Sequence, residues 1–478
     1  MSTHHTGTED PPTAGDAANE TAGSWRELFG TRHLTASLVL AGGVAVYAMN
    51  TFVTAALLPS AIADIGGERY FAWVTTSFMV ASVLTSMLVA RTLAALGGAR
   101  AYVLAFGVFA AGSLGAALAP TIELLLGARI LQGLGGGLLA GLGYAVIRDA
   151  LPERLWTRAT GLVSAMWGLG TLLGPAIGGI FAQLQLWRGA FWLLTAATVV
   201  LAVMSLRGLP RRSEQNDGFG RLPVGSLAML VLAATAFSIA SIVPVGGPTA
   251  IALGAGLVLV IGFVLVERAA SSPILPHITY RRGNPLKWVY LVLGILSAAA
   301  MAEIFLPKFG QELAGMSPLL AGIFGASVSI GWSFVQLFSA SVDRVTVRRR
   351  LMFLGPVLVT VGLTLFAATQ QDSPAAWAVW LWVAGLVLAG AGVGLAFPHL
   401  SVAAMHSTDD PVEGSKAAAG VGTSELIANA ISSAFVGVLV VAGGPGAAGS
   451  ATMGAGLAVL GAVGVALVVL ALRRIRQG

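Results

Sequence analysis

Two carboxylates, Glu303 and Glu425, stand within long apolar stretches of a 478-residue chain, where an ionisable side chain is costly and a functional role is the default reading. A guanidinium, Arg129, shares that situation in the run RILQGLGGG from Arg129 to Gly137. The chemistry open to such groups is reversible proton binding, because desolvation disfavours the charged carboxyl and a nearby cation favours it. Each unit of difference in proton affinity between two conformations couples about 1.36 kcal/mol to the change of shape. At about 1.5 Å of rise per residue, Glu303 lies roughly 24 Å from the start of its run, Asn50 roughly 22 Å from its own, and Arg129 about 12 Å from the near end of its run. The three are therefore expected in one layer. Glu425, about 13 Å into its run among Thr423, Ser424 and Asn429, is the rival proton site. His399 beside Pro398 is read as marking a kinked helix.

Other chemistries are excluded or unsupported. The chain has no cysteine, so disulfides, thiol nucleophiles and Cys-based metal sites are absent. No HExxH, GxSxG or GxxxxGK[ST] pattern occurs, which removes the motif-based cases for a zinc hydrolase, a serine hydrolase and an ATP-driven pump. No enzyme, metal or bound cofactor is expected; the energy source would be a proton gradient.

The elements that must position these groups follow from composition. Hydrophobic residues make up 56% of the chain and charged ones 10%, so an ordinary soluble core is excluded. Recurring apolar runs of about 20 residues, without strand alternation, call for membrane-spanning helices. Fourteen spans are read at 35–60, 70–93, 100–119, 121–147, 158–183, 188–207, 222–244, 247–267, 287–311, 317–339, 350–369, 375–401, 416–443 and 448–472. An even number places both termini on one side. Of the 27 Lys and Arg residues, all but Arg69, Arg129, Arg188 and Lys308 then fall in segments assigned to the cytoplasm, as the charge bias of membrane proteins requires. That segregation explains the net charge of +6 without a nucleic-acid partner. Residues 1–34 read as a cytosolic tail and not a signal peptide; within it, Trp25, Leu28 and Phe29 suit either a short interfacial turn or a disordered leader. Polar linkers at 209–221 and 268–286 bracket two helices, giving a bundle at 35–208, linkers and an inserted pair at 209–286, a bundle at 287–472 and a tail at 473–478.

Several strings in this frame match a known pattern. GTLLGPAIGG, with Gly170, Gly174, Pro175, Gly178 and Gly179, combines small residues for close helix approach with a proline that interrupts the backbone ladder. It resembles the fifth-helix antiporter motif of major facilitator drug exporters, and Arg129, Gln132 and Gly133 resemble the fourth-helix motif whose Arg is associated with proton transfer; since the first, fourth and ninth spans line the family's cavity, the resemblance implies that Arg129 lowers the proton affinity of Glu303 in one conformation. NTFVTAALLP from Asn50 to Pro59 is similar to the first-helix segment of fourteen-span drug/proton antiporters, with Asn50 in place of the family Asp. ARTLAALGGAR from Ala90 to Arg100 is an eroded copy of the family loop, with Ala95 where an Asp belongs. SASVDRVTVRRR keeps Asp343, Arg344 and Arg348, which suit a latch between the bundles.

The resemblance implies an all-α membrane protein with the major facilitator fold, two six-helix bundles plus an inserted pair. It implies proton-coupled export of small amphipathic compounds by alternating access, from a monomer in the cell's inner membrane whose partners are lipid, protons and small molecules. Tyr47, Asn50, Phe52, Gln132, Trp167, Phe305 and Trp332 are the expected substrate-contacting residues, an aromatic surface with few polar groups being tolerant of varied ligands. The alternatives are transport of a lipid, siderophore or nutrient on the same fold, or a non-transporting membrane sensor or scaffold.

Overall fold

The computed structural model describes residues 24–209, 223–270, 273–342, 344–408 and 410–475. Among them every regular element is helical. The cause is the apolar sequence itself: a long segment with no water to bind its amides must satisfy them within its own turns.

The first half consists of α1 (Leu34–Ile65), α2 (Phe71–Ser86), α3 (Val89–Leu118), α4 (Ile122–Ala145), α5 (Trp156–Gln183) and α6 (Trp187–Gly208). Next come α7 (Val224–Ala240) and α8 (Gly247–Ala269). The second half runs through α9 (Leu286–Ala300), α10 (Leu306–Ala314), α11 (Pro318–Gly325), α12 (Ser327–Ser339), α13 (Val345–Ala368), α14 (Ala376–Met405), α15 (Pro411–Gly443) and α16 (Ala447–Ile475). Eleven of the described helices are long and apolar enough to cross a membrane, or twelve if α11 and α12, bent by 45°, form one span.

That count is coarser than the fourteen read from sequence, and the differences have local causes. The expected span at 70–93 is helical as α2, which stops at Ser86, and then again from Val89. The next break falls at Gly97, whose φ of 73° is left-handed and open to glycine. The expected span at 222–244 contains the 17-residue α7. The expected ninth span, 287–311, keeps its place in the count as Leu286–Ile304 but ends in a 3-10 turn, Met301–Ile304, which carries Glu303.

Within each half packing departs from chain order: α1 lies along α5 and α6, α3 along α4 and α6, α13 along α14 and α16, and α12 along α14. The halves meet along two seams, α2 against α15 and α5 with α1 against α11. On the first seam the Thr76 and Ser433 hydroxyls are 3.0 Å apart. The inserted helix α7 covers it, with Trp73 Nε1 donating to Ser238 O at 2.8 Å. The end of the bundle where α1 finishes, termed the distal end below, is bridged between the halves by α10 and the turn before it. There Lys308 of α10 forms an ion pair with Glu68, just beyond α1, and Phe305 stacks on Phe71 with ring centres 4.8 Å apart.

Candidate functional site

The fourth helix builds the centre of the site. Gly133 and Gly137 of α4 let it touch the backbone of α2 at Phe78 and Ser82, while Gly135 touches α3 at Phe109. Arg129, on the same helix, is thereby enclosed completely. Its Nε donates to Val74 O at 3.0 Å, and one terminal nitrogen donates to Gln132 Oε1 at 2.7 Å and Asn50 Oδ1 at 3.2 Å. The guanidinium carbon lies 4.3 Å from the centre of the Phe78 ring. Gln132 also donates to Ser113 Oγ at 2.9 Å and to Asn50 Oδ1 at 3.3 Å. A buried cation is held here by neutral oxygens and a ring face, with no ion pair among the described residues. Asn50 Nδ2 and Thr54 Oγ1 stay buried without a hydrogen-bond partner.

Aromatic residues continue this network. Phe78 stacks on Tyr47 at 5.4 Å, and Tyr47 meets Trp167 edge-on at 5.5 Å. Trp167 is exposed and Tyr47 is buried. Glu425, on α15 of the second half, is partly exposed, and the residues after it, Leu426 and Ile427, pack against the apolar cluster that holds Tyr47 and Phe78. The rival proton site thus belongs to the same neighbourhood as Tyr47 and Trp167.

Glu303 lies apart from that network. Its carboxylate accepts the Ser329 N–H and the Ser329 hydroxyl, each at 2.7 Å. The expected pairing of Glu303 with Arg129 is absent in this conformation, because the guanidinium's donors go to Val74, Asn50 and Gln132.

The remaining expected site residues divide by position. Asn50 and Gln132 are wholly enclosed and committed to Arg129. Phe305 is buried at the distal closure against Phe71 and Phe309. Phe52 is partly exposed beside Gly174. Trp332, in α12, donates to Gln336 Oε1 at 2.5 Å and packs on Phe397 at 5.3 Å. His399 is buried, its Nε2 3.1 Å from Ser339 Oγ.

The GTLLGPAIGG string serves both seams of α5. A Cβ at Gly170 would sit 2.6 Å from Ala48 Cβ, at Gly174 2.6 Å from Phe52 Cβ, and at Gly178 2.5 Å from Val53 O, all on α1. One at Gly179 would sit 2.7 Å from Leu319 Cα on α11, and one at Gly322 of α11 would sit 2.7 Å from Pro175 O. Of the expected latch, Asp343 lies outside the described residues, Arg344 is exposed, and Arg348 Nε donates to Val342 O at 2.8 Å. Ser329 and the Lys308–Glu68 pair escaped the sequence reading; their one signal was that Lys308 stood among the few cations assigned to the outer side.

The major facilitator superfamily model matches residues 40–435. The chain belongs to the major facilitator superfamily. It is accordingly a multi-span membrane transporter and not an enzyme. It is 43% identical over 431 residues, 89% of this chain and 91% of the relative, to the probable multidrug-efflux transporter Rv1634 of Mycobacterium tuberculosis (strain ATCC 25618 / H37Rv). Multidrug resistance protein 3 of Bacillus subtilis (strain 168) is 27% identical over 402 residues, 80% of this chain and 75% of the relative. Among solved structures, a POT family transporter crystallised with 5-aminolevulinic acid has a TM-score of 0.67 at 14% identity, covering 95% of this chain and 98% of that one. That likeness shows the major facilitator fold alone.

Proposed function

We propose that this chain is a proton-driven secondary exporter of small amphipathic compounds, of the multidrug-efflux type, working by alternating access. The observation that carries the reading is the 43% identity, over 89% of the chain, to a transporter named for multidrug efflux. The geometry supports it. A partly exposed carboxylate, Glu425, precedes two residues that pack on the cluster holding Tyr47, and the exposed Trp167 extends that aromatic surface.

In this reading fourteen spans cross the cell membrane, the inner membrane where there are two, as six, an inserted pair and six. Both termini are cytoplasmic, the distal end faces outward, and the monomer is the working unit. Protons enter down their gradient through Glu303 and Glu425, with about 2.3 kcal/mol available per charge for each 100 mV of membrane potential. Arg129 supplies a fixed positive charge beside the aromatic residues. Amphipathic compounds contact Tyr47, Phe52, Trp167 and Trp332, while Asn50, Gln132 and Phe305 become accessible only after a change of conformation. Gly170 to Gly179 provides the sliding surface, and Asp343, Arg344 and Arg348 the cytoplasmic latch.

Purified protein reconstituted into liposomes with a fluorescent amphipathic dye tests both drive and direction. An inward proton gradient across outward-pumping protein should expel dye, and a protonophore should stop it. Dye movement that ignores the protonophore and the imposed gradient would overturn the reading.

A further inference from the structure

Two interrupted spans face one another in the second half. Between α9 and α10 the chain makes the 3-10 turn Met301–Ile304, and α10 restarts with Pro307 in its first turn. Between α11 and α12 it bends by 45° around Ala326. The breaks interlock: a Cβ at Gly325 would sit 2.7 Å from Pro307 Cγ.

The start of a helix leaves amide N–H groups without acceptors and carries a partial positive charge. In α12 that start is Ser327, Val328 and Ser329, and no charged residue lies in the helix to serve it. Glu303 serves it from another span. It takes the Ser329 N–H and hydroxyl at 2.7 Å each. The turn bearing Glu303 packs against α9, α10, α15 and α16. Of their charged residues, Lys308 pairs with Glu68 and Glu312, Glu413 pairs with Lys416, and Glu425 forms no ion pair among the described residues. Lys287, Lys416, Arg473 and Arg474 form no ion pair with Glu303 among the described residues.

We propose that ionised Glu303 is a helix cap supplied in trans: it pins the first turn of α12 and, through its own segment, the distal closure, and proton binding releases both. The inference rests on the export reading for the identity of the distal end as the outer face. The path is short. Two residues beyond Glu303, Phe305 stacks on Phe71; five residues beyond it, Lys308 pairs with Glu68. Hydrogen bonds to an ionised acceptor are roughly twice as strong as neutral ones. Adding one proton removes the charge, so the contacts to Ser329 fall to the strength of neutral hydrogen bonds and the Ser329 hydroxyl can turn from donor to acceptor. An empty, unprotonated carrier is then locked with its outer side shut, and a protonated one is free to reorient, which is the rule an exchanger needs to avoid futile cycling. Ser329 is the positioning residue of this switch.

Because the chain has no cysteine, Ala56→Cys introduces a unique thiol at the α1–α11 closure, where Ala56 is 1% exposed and lies against Gly322. A membrane-impermeant maleimide is applied to the outer face of sealed vesicles from neutral to acid pH, with rates normalised to the unfolded protein at each pH. Labelling should be slow at neutral pH and rise severalfold on acidification. Glu303→Gln should label fast at every pH, and Glu68→Gln should raise labelling without moving the midpoint. Ser329→Ala, which removes only a hydroxyl and keeps the test alive if Glu303→Gln unfolds, should move the midpoint to higher pH by about one unit, the equivalent of one charge-assisted hydrogen bond. Ser329→Thr should restore it. Labelling that ignores pH, or a Ser329→Ala midpoint equal to the parent's, overturns the proposal. Dye transport in the same vesicles separates the two readings. Proton-driven transport with flat labelling removes the cap and leaves export standing, whereas pH-controlled labelling without proton-driven transport does the reverse.

Discussion

Arg129 shows how one buried charge organises its surroundings. Its planar fork reaches three oxygens on α1, α2 and α4 at once, a geometry that a lysine's point charge cannot copy. Because the cation is already desolvated, a carboxylate placed beside it would gain attraction without a second cost of burying the arginine. Asn50→Asp, at a position whose oxygen lies 3.2 Å from the guanidinium, should therefore raise the melting temperature of the purified protein. Arg129→Lys should lower it, by the equivalent of about 2 kcal/mol for hydrogen bonds lost at buried acceptors. A lower melting temperature for Asn50→Asp would show that the network does not tolerate a second charge. Part of this cluster was legible: motif matches put Asn50 on the first span and Arg129 and Gln132 on the fourth, but Asn50 and Gln132 were read as substrate contacts, whereas here they hydrogen-bond to Arg129. Ser329 was not legible as the partner of Glu303, since a serine from a distant span carries no spacing signal and becomes a partner only after the chain folds.

Among elements, α5 is defined by what it lacks. Gly179→Val should prevent close contact with α11, where even a Cβ would be 2.7 Å from Leu319 Cα, and should reduce transport by about tenfold or more, the effect of a shift of roughly 1.4 kcal/mol. Gly107→Val on α3, with nothing within 4 Å of the added Cβ, is the matched control and should transport normally. The short helix Trp25–Leu28 offers a second test. Ser24 caps it, and Arg154 Nε donates to Glu27 at 3.0 Å. The hydrogen-bonded Arg154 guanidinium holds the Glu27 carboxyl below its ordinary value. The ion pair is therefore complete above the ordinary carboxylate range and is lost as pH falls through the lowered folded value. Limited proteolysis should find the 24–33 segment protected at neutral pH and more open in acid, and Arg154→Gln should open it already at neutral pH. The sequence pattern gave the apolar runs that became helices, but not the Gly97 break or the bend at Ala326. Both depend on backbone angles that neighbouring helices select.

Across the whole molecule, one asymmetry organises the rest. The described contacts between halves gather at the distal end and along the α2–α15 seam. One acid, Glu303, is tied through its own segment to the distal contacts; the other, Glu425, lies on α15, whose Leu426 and Ile427 pack on the cluster holding Tyr47 in the opposite half. Proton binding at these two acids should therefore depend on whether an amphipathic compound occupies the space between the halves. The direct measurement is proton release from purified protein in weakly buffered detergent solution when a transported dye is added. The wild-type protein should release protons in proportion to dye bound, with release diminished in both Glu303→Gln and Glu425→Gln and abolished in the double variant. Dye binding that leaves the pH unchanged in the wild type, or undiminished release from the double variant, would contradict the account.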